Sequence, residues 1–370
     1  MDVKVFDIIP TEIDASPEDF LKFLGGPAII NAGPETEENV FISCLMHGNE
    51  PSGYFAIHKI LQKIKVRHHL KKKVHFAFMN VCAALEDEMF SHRFLDDETD
   101  MNRIWSETKD PGNSPAQKKT IKFMMDFIRN AEPELIVDLH NTTGSNPVFA
   151  ITNTLEKEAI EAAAVASDIV WAHSGRDTLI KWSKDICPSI GVECGKNIDP
   201  QSDENAVKVL RDLLIHFGAL EGDVKPHQNI RLLYEAEPIK VNTHDIYVAD
   251  ENTGNDVVLI TQIEGFNTVQ LNPGTKLGWV NKNDIIDNSA VEIVDKELRV
   301  KTPCTFILIT TFLDAIDKDA LGYRTKQKLV QVKDLIDKGD SILDAATKPA
   351  SALPPRHLPN QRFDKLSSRA

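Results

Sequence analysis

The chain has 370 residues with 42% hydrophobic, 26% charged and 7% aromatic side chains, which predicts a globular protein of two or three domains. Its 42 Lys and Arg against 56 Asp and Glu leave a net charge of −14, which speaks against nucleic acid as a partner. No run approaches the roughly 18–20 apolar residues of a membrane span, and the first residues lack the apolar core of a signal peptide. With five Cys and no CxxC pair, there is no disulfide framework, and the expectation is a cytoplasmic protein without a membrane partner.

In chain order, residues 27–32 and 39–46 read as strands, the second a buried run (NVFISCLM) that ends at HGNE. Residues 52–65 have helical spacing, with Tyr54, Ile57, Leu61 and Ile64 on one face. The basic stretch 65–73 (KVRHHLKKK) reads as a solvated helix end rather than a phosphate site. A strand is predicted at 74–81, a helix at 115–130 and a strand at 134–139 (ELIVDL). An Ala-rich helix at 155–167, a short strand at 189–193 (SIGVE) and an amphipathic helix at 203–217 follow. Strands alternating with helices predict an α/β fold whose mixed sheet is flanked by helices.

Near 222–226 the pattern changes to short β runs over 230–316, with a turn at Asn272-Pro273-Gly274, where Pro fixes φ and Gly accepts a positive one. One further helix is predicted at 326–342, and the Pro-rich 348–370 reads as a loosely ordered tail. The expected division is a catalytic domain at 1–225, a β-rich domain at 226–320, and a helix plus tail at 321–370.

Chemistry gathers where strands end. His47 and Glu50, three apart in HGNE, converge on one point if the chain turns there, and both are good zinc ligands. His140 ends the ELIVDLH strand and supplies a third ligand, leaving a fourth position open as catalytic zinc sites do. The plain alternative for His47 and Glu50 is a helix N-terminus with Glu near the positive end of its dipole. Asp138, two residues before His140, shares its face and is placed to accept a hydrogen bond from it; a loop-capping role accounts for it equally well. Glu193 ends a short apolar strand between glycines, where burial raises a carboxyl's proton affinity. Arg93 and Arg103 lie in an irregular stretch whose ordinary reading is surface ion pairs.

Taken in order, HGNE, MNRIW, DLHNTTG and GVECG resemble the aspartoacylase and succinylglutamate desuccinylase family of zinc amidohydrolases. The resemblance covers residues 38–220 in detail, and more loosely the β-rich region with its LNPG. It implies a zinc-carboxypeptidase-like sheet followed by a smaller β-rich domain. His47, Glu50 and His140 would hold one Zn2+ per chain, with Glu193 as general base and Arg93 polarising the scissile carbonyl. Asn102 and Arg103 would hold a substrate carboxylate, and Asn141 would line the site. The partner implied is a small anionic N-acyl amino acid, and a homo-oligomer stays open.

Two departures stand out. The family's aspartoacylases carry an Arg ten residues before the general Glu, where this chain has Ser183, flanked by Lys181 and Lys184. Neither ammonium reproduces a bidentate guanidinium clamp. No residue matches the family's C-terminal substrate-contacting Tyr by its surroundings, Tyr323 included. The expected activity is therefore deacylation of an N-acyl amino acid or similar carboxylate, with the acyl group and amino acid left open. The alternatives are a carboxypeptidase-like peptidase, which an open groove would favour, and a non-catalytic zinc or ligand-binding module. Retention of the whole ligand set with Glu193 and Arg93 argues against the module.

Overall fold

Three helices begin on the same local signal, a side-chain oxygen followed by proline. Ser16 caps α1 (Pro17–Leu24), Ser114 caps α4 (Pro115–Ala131) and Asp199 caps α7 (Pro200–His216), each accepting a backbone N–H of the first turn. Gly25, at φ 59°, closes α1 in the left-handed conformation. This signal explains why α7 starts three residues before the apolar periodicity does, and why α1 exists although its periodicity is short. The structure, a computed structural model, describes residues 2–67, 70–106, 114–173, 175 and 177–338. The predicted tail 348–370 lies outside them.

The first part contains β1 (Lys4–Phe6), β2 (Ala28–Ala32), β3 (Asn39–Cys44), α2 (Ser52–Arg67), β4 (Lys73–Phe78) and α3 (Val81–Ala84). After α4 come β5 (Leu135–Thr142), β6 (Phe149–Thr152), α5 (Lys157–Ala166), β7 (Ile169–Ala172), α6 (Leu179–Trp182) and β8 (Ser189–Lys196). Beyond α7 follow β9 (Asn229–Val241), β10 (Ile246–Val248), β11 (Val257–Leu259), β12 (Gln270–Leu271), β13 (Lys276–Val280) and β14 (Ile286–Asp287). The chain continues with β15 (Val291–Val294), β16 (Glu297–Val300), β17 (Cys304–Ile307), α8 (Leu313–Lys318), β18 (Gly322–Gln331) and α9 (Val332–Lys338).

The large sheet is mixed and runs β1-β2-β4-β3-β5-β8-β6-β7-β9-β18-β17-β12, with β14 on β9. Its central strands β3, β5 and β8 are parallel and nearly wholly buried, as the apolar runs in their sequences require. One face packs on α2, α5 and α7; the other carries Met101, Ile104 and Trp105 together with Ile121, Met124, Met125 and Ile128 of α4. A second sheet, β10-β11-β13-β16-β15, has its own core with Leu259, Leu277 and Leu298. The α/β fold is as expected from the sequence, and so is the 272–275 turn, where Gly274 has φ 85° and Thr275 N donates to Asn272 O.

One expected element is corrected. Residues 326–331 belong to a strand, not a helix, because β18 pairs with β9 from Gln331 opposite Asn229 to Gly322 opposite Ile239. The helix is confined to α9 within the described residues. Where short β runs were expected from residue 230 on, Asn229–Val241 is one long strand, β9. Within the basic stretch, Lys65, Lys71, Lys72 and Lys73 pair with Asp14, Glu221, Glu38 and Glu35, a solvated ionic surface.

Candidate metal and catalytic site

The site forms at the C-terminal ends of β3, β5 and β8. Leu45 leaves β3 at φ 54°, an uncommon conformation for a residue with Cβ, and so turns the chain back over the strand end. Gly48 then passes against the 81–93 segment. A Cβ there would lie 2.6 Å from Ala84 N and from His92 O, so only glycine fits, and Gly48 N donates to Arg93 O at 3.0 Å. That contact brings Arg93 beside His47 and Glu50.

His47, Glu50 and His140 are buried, and one ligand atom from each lies within 4.8 Å of the others. Glu50 turns Oε1 to His47 Nδ1 and Oε2 to His140 Nδ1, both at 2.8 Å. The outer nitrogens face carboxylates: His47 Nε2 meets Asp100 Oδ1 at 2.8 Å and His140 Nε2 meets Asp138 Oδ2 at 2.7 Å. Asp138 is fixed in turn by the Ser43 hydroxyl, which donates to its Oδ1 at 2.7 Å. The outer nitrogen of each imidazole thus faces a carboxylate, the usual outer support of a metal-binding histidine, and Arg93 Nη2 also lies 2.8 Å from His47 Nε2. The Glu50 carboxylate set between the two rings, with Asp100 and Asp138 behind them, suits a divalent cation, and the nitrogen and oxygen donors suit zinc.

The electrostatics agree. Burial pushes the Glu50 carboxyl up, but His47 and His140 outweigh it and hold the group well below the usual carboxylate range. Burial likewise opposes ionisation of Asp100, and His47 and Arg93 overcome it. Burial disfavours the His140 imidazolium, yet Asp138 and Glu50 keep it well above the ordinary histidine value.

Glu193 lies directly across from His140 in the β5–β8 register, hence on the same face of the sheet. Its Oε2 is buried and has no hydrogen-bond partner. Burial pushes its carboxyl up to about 7 against the pull of His140, and the Glu50 charge adds to the rise. Arg93 places Nη1 3.0 Å from Glu50 Oε1 and Nη2 3.0 Å from Asp100 Oδ2. Asn102 reaches to 3.4 Å from His140 Nε2, and its Oδ1 accepts Leu179 N at 3.1 Å. Arg103 is exposed, with Nη1 donating to the Asn102 carbonyl at 2.9 Å.

Asn141 points to the opposite face, as alternation along β5 requires. There its amide accepts Ser52 N and donates to Ser52 Oγ and to Gly195 O, tying α2 to β8 behind the ligands. Ser183 is fully buried, while Lys181 and Lys184 are exposed. Asp100, which the sequence reading passed over, is the outer partner of His47; its one local signal is its position capping the short 101–103 turn.

The C-terminal region braces the same strand ends. Glu264 Oε2 accepts Ser145 N at 2.9 Å and the Lys196 ammonium at 3.0 Å, while Oε1 accepts the N–H and hydroxyl of Thr311. Glu264→Ala leaves these donors unpaired, and we expect a loss of about 1–3 kcal/mol of stability together with a lower kcat. Denaturant titration and initial rates check this; an unchanged unfolding midpoint would show the brace to be incidental.

A family model described as the succinylglutamate desuccinylase/aspartoacylase catalytic domain matches residues 36–174. Over this segment the chain is similar to that family. The desuccinylase/aspartoacylase match contains His47, Glu50, Arg93, Asn102, Arg103, His140 and Asn141, while Glu193 lies just beyond it. Murine aminoacylase 3 superposes with a TM-score of 0.56 at 15% identity, over 81% of this chain and 98% of that one. A succinylglutamate desuccinylase/aspartoacylase from Rhodobacter sphaeroides gives 0.54 at 16% identity, covering 82% and 88%. The succinylglutamate desuccinylase from Vibrio parahaemolyticus gives 0.53 at 16% identity, covering 82% and 89%. At such identities these likenesses speak for the fold. No curated relative matches the sequence. No helix among the described residues is long and apolar enough to cross a membrane.

Proposed function

We propose that the protein is a zinc-dependent hydrolase of the desuccinylase/aspartoacylase type that removes the acyl group from an N-acyl amino acid or a similar small carboxylate. The observation that carries the reading is the convergence of His47, Glu50 and His140 beside the unpartnered Glu193 carboxyl. Zinc held by that triad supplies the Lewis acidity that makes water a usable nucleophile near neutral pH.

The remaining chemistry falls to the chain's own residues. Glu193, as carboxylate, takes a proton from the attacking water and, once protonated, returns it to the leaving nitrogen. A carboxyl raised to about 7 is matched to both halves of that task near neutral pH. Arg93, anchored by Asp100 and Glu50, donates to the carbonyl oxygen as charge develops on it. Asp100 and Asp138 orient the two imidazoles so that each turns Nδ1 toward Glu50. Arg103 grips the substrate carboxylate through a charge-assisted pair, with Asn102 fixing its approach. Localisation in the cytoplasm fits five cysteines that form no disulfide among the described residues.

The test is metal analysis joined to a panel of N-acetyl, N-formyl and N-succinyl amino acids. We expect about one zinc per chain and zinc-dependent release of a free amino acid. Zinc-dependent cleavage of peptides alone would establish the carboxypeptidase-like alternative instead. Arg103→Lys keeps the charge but not the fork, so KM for anionic substrates rises about tenfold while metal content stays the same. Steady-state kinetics with metal analysis on the same sample checks it; an unchanged KM removes Arg103 from carboxylate binding.

A further inference from the structure

The end of the strand that carries Glu193 is irregular. His140 lies across from Glu193 and Thr142 from Lys196, so β8 has two residues, Cys194 and Gly195, where β5 has one, Asn141. This is a β-bulge, and Gly195 takes φ 116° in it, a conformation open to glycine. A Cβ there would also lie 2.5 Å from Ser202 Oγ. The register of β6 with β8 runs from Thr152 opposite Ile190 only as far as Phe149 opposite Glu193, so β6 gives no pairing past this point. A bulge re-aims the side chains beside it, and the one that precedes this bulge is Glu193.

Three consecutive carbonyls at the bulge each accept a hydrogen bond from a side chain. Asn205 Nδ2 donates to Cys194 O at 3.1 Å, Asn141 Nδ2 to Gly195 O at 3.1 Å and Ser202 Oγ to Lys196 O at 2.8 Å. Asn205 and Ser202 stand on α7, Asn141 on β5. Asn141 also reaches the ligand side. Its Oδ1 accepts Ser52 N at 3.0 Å, its Nδ2 donates to Ser52 Oγ at 2.9 Å, and its backbone N–H donates to Glu50 Oε2 at 3.3 Å. One buried amide side chain therefore joins the chain two residues past Glu50 to the chain two residues past Glu193.

We propose that this clamp on the bulge aims the Glu193 carboxyl at the metal ligands, and that Asn141 is the positioning residue that fixes the spacing between the two. The inference rests on the hydrolase reading above. A general base works only within hydrogen-bond reach of its proton, about 2.6–3.2 Å between heavy atoms. A displacement of about 1 Å costs about 10²-fold in rate. Glu193 Oε2 has no hydrogen-bond partner to hold it, so its aim depends on the backbone beneath it. That backbone is held by Asn205 from one helix and by Asn141 from the strand that carries His140.

The experiment measures kcat, KM and zinc content for zinc-loaded Asn141→Leu and Asn205→Ala, each made in wild type and in Glu193→Gln. Asn205 is half-buried and gives one bond to β8, so its variant serves even where Asn141→Leu does not fold. With the best substrate of the N-acyl panel, Asn141→Leu should lower kcat about 10–100-fold and Asn205→Ala about three- to tenfold. Zinc should stay at about one per chain and KM within about twofold. In the Glu193→Gln background each loss should shrink to less than about threefold, because no base remains to be aimed. Equal losses in both backgrounds, or losses confined to KM or zinc, overturn the clamp. Hydrogen exchange of the zinc-loaded proteins needs no substrate: residues 192–197 should exchange faster in both variants, while residues 40–44 of β3 do not. If wild type cleaves none of the panel but 192–197 loosens in the variants, the hydrolase reading fails and the clamp stands. If wild type cleaves the panel and 192–197 exchanges as before, the clamp fails and the hydrolase reading stands.

Discussion

Glu193→Gln should retain about one zinc per chain and lose about 10²–10⁴-fold in kcat, because the amide keeps the shape of the side chain and cannot take a proton. The position is directly across from His140 on β8, so the loss cannot be ascribed to a displaced ligand if metal content holds. The pH dependence gives a second readout. Activity needs the ionised carboxylate, so kcat/KM falls as pH drops through the Glu193 value. That value is about 7 without metal, and a bound cation lowers it, so the acid limb should lie at or below about 7. Initial rates from pH 5 to 9 with metal analysis of the same samples decide the matter. Substantial turnover by the Gln variant would remove Glu193 from proton transfer.

His140→Ala should have the other large effect, a fall in zinc content from about one per chain toward zero with loss of activity. It also strips Asp138 of its imidazole partner and leaves that buried carboxylate with the Ser43 hydroxyl as its side-chain contact. Removing one member of a buried charged pair costs about 3–5 kcal/mol, so even the metal-free variant should unfold at lower denaturant than metal-free wild type. Metal analysis and paired denaturant titrations separate the two consequences. A variant that still holds one zinc would place the ligand set elsewhere.

The site was legible because its residues end strands whose apolar runs are easy to see. NVFISCLM leads into His47 and Glu50, LIVDL into His140, and SIGV into Glu193; His140 and Glu193 share a face in register, and His47 and Glu50 meet His140 from the loop after β3. Their neighbours were harder to read. Asp100 stands in an acidic irregular stretch, and only the folded chain brings it to His47 across 53 residues. Strands β6 and β7 are four residues each, too short to show a period. The 326–331 segment carries helical spacing but is drawn into a strand by its pairing with β9, a contact that local pattern cannot report. Asn141 sits next to a ligand in sequence, yet alternation along β5 turns it to the far side of the sheet.

Strand β7 is bordered on one side by β6 and on the other by β9, so the large sheet passes from the first 225 residues into the rest without an edge. Cutting the chain between α7 and β9 would strip a row of backbone donors and acceptors along β7, a template for self-association. It would also remove the Ile309 carbonyl against which Gly144 packs so closely that a Cβ would fall 2.1 Å away. The stretch just after His140 would then lose its backing. Grafting a foreign C-terminal half would require matching both the β7–β9 pairing and the close approach of Gly144 to the Ile309 carbonyl.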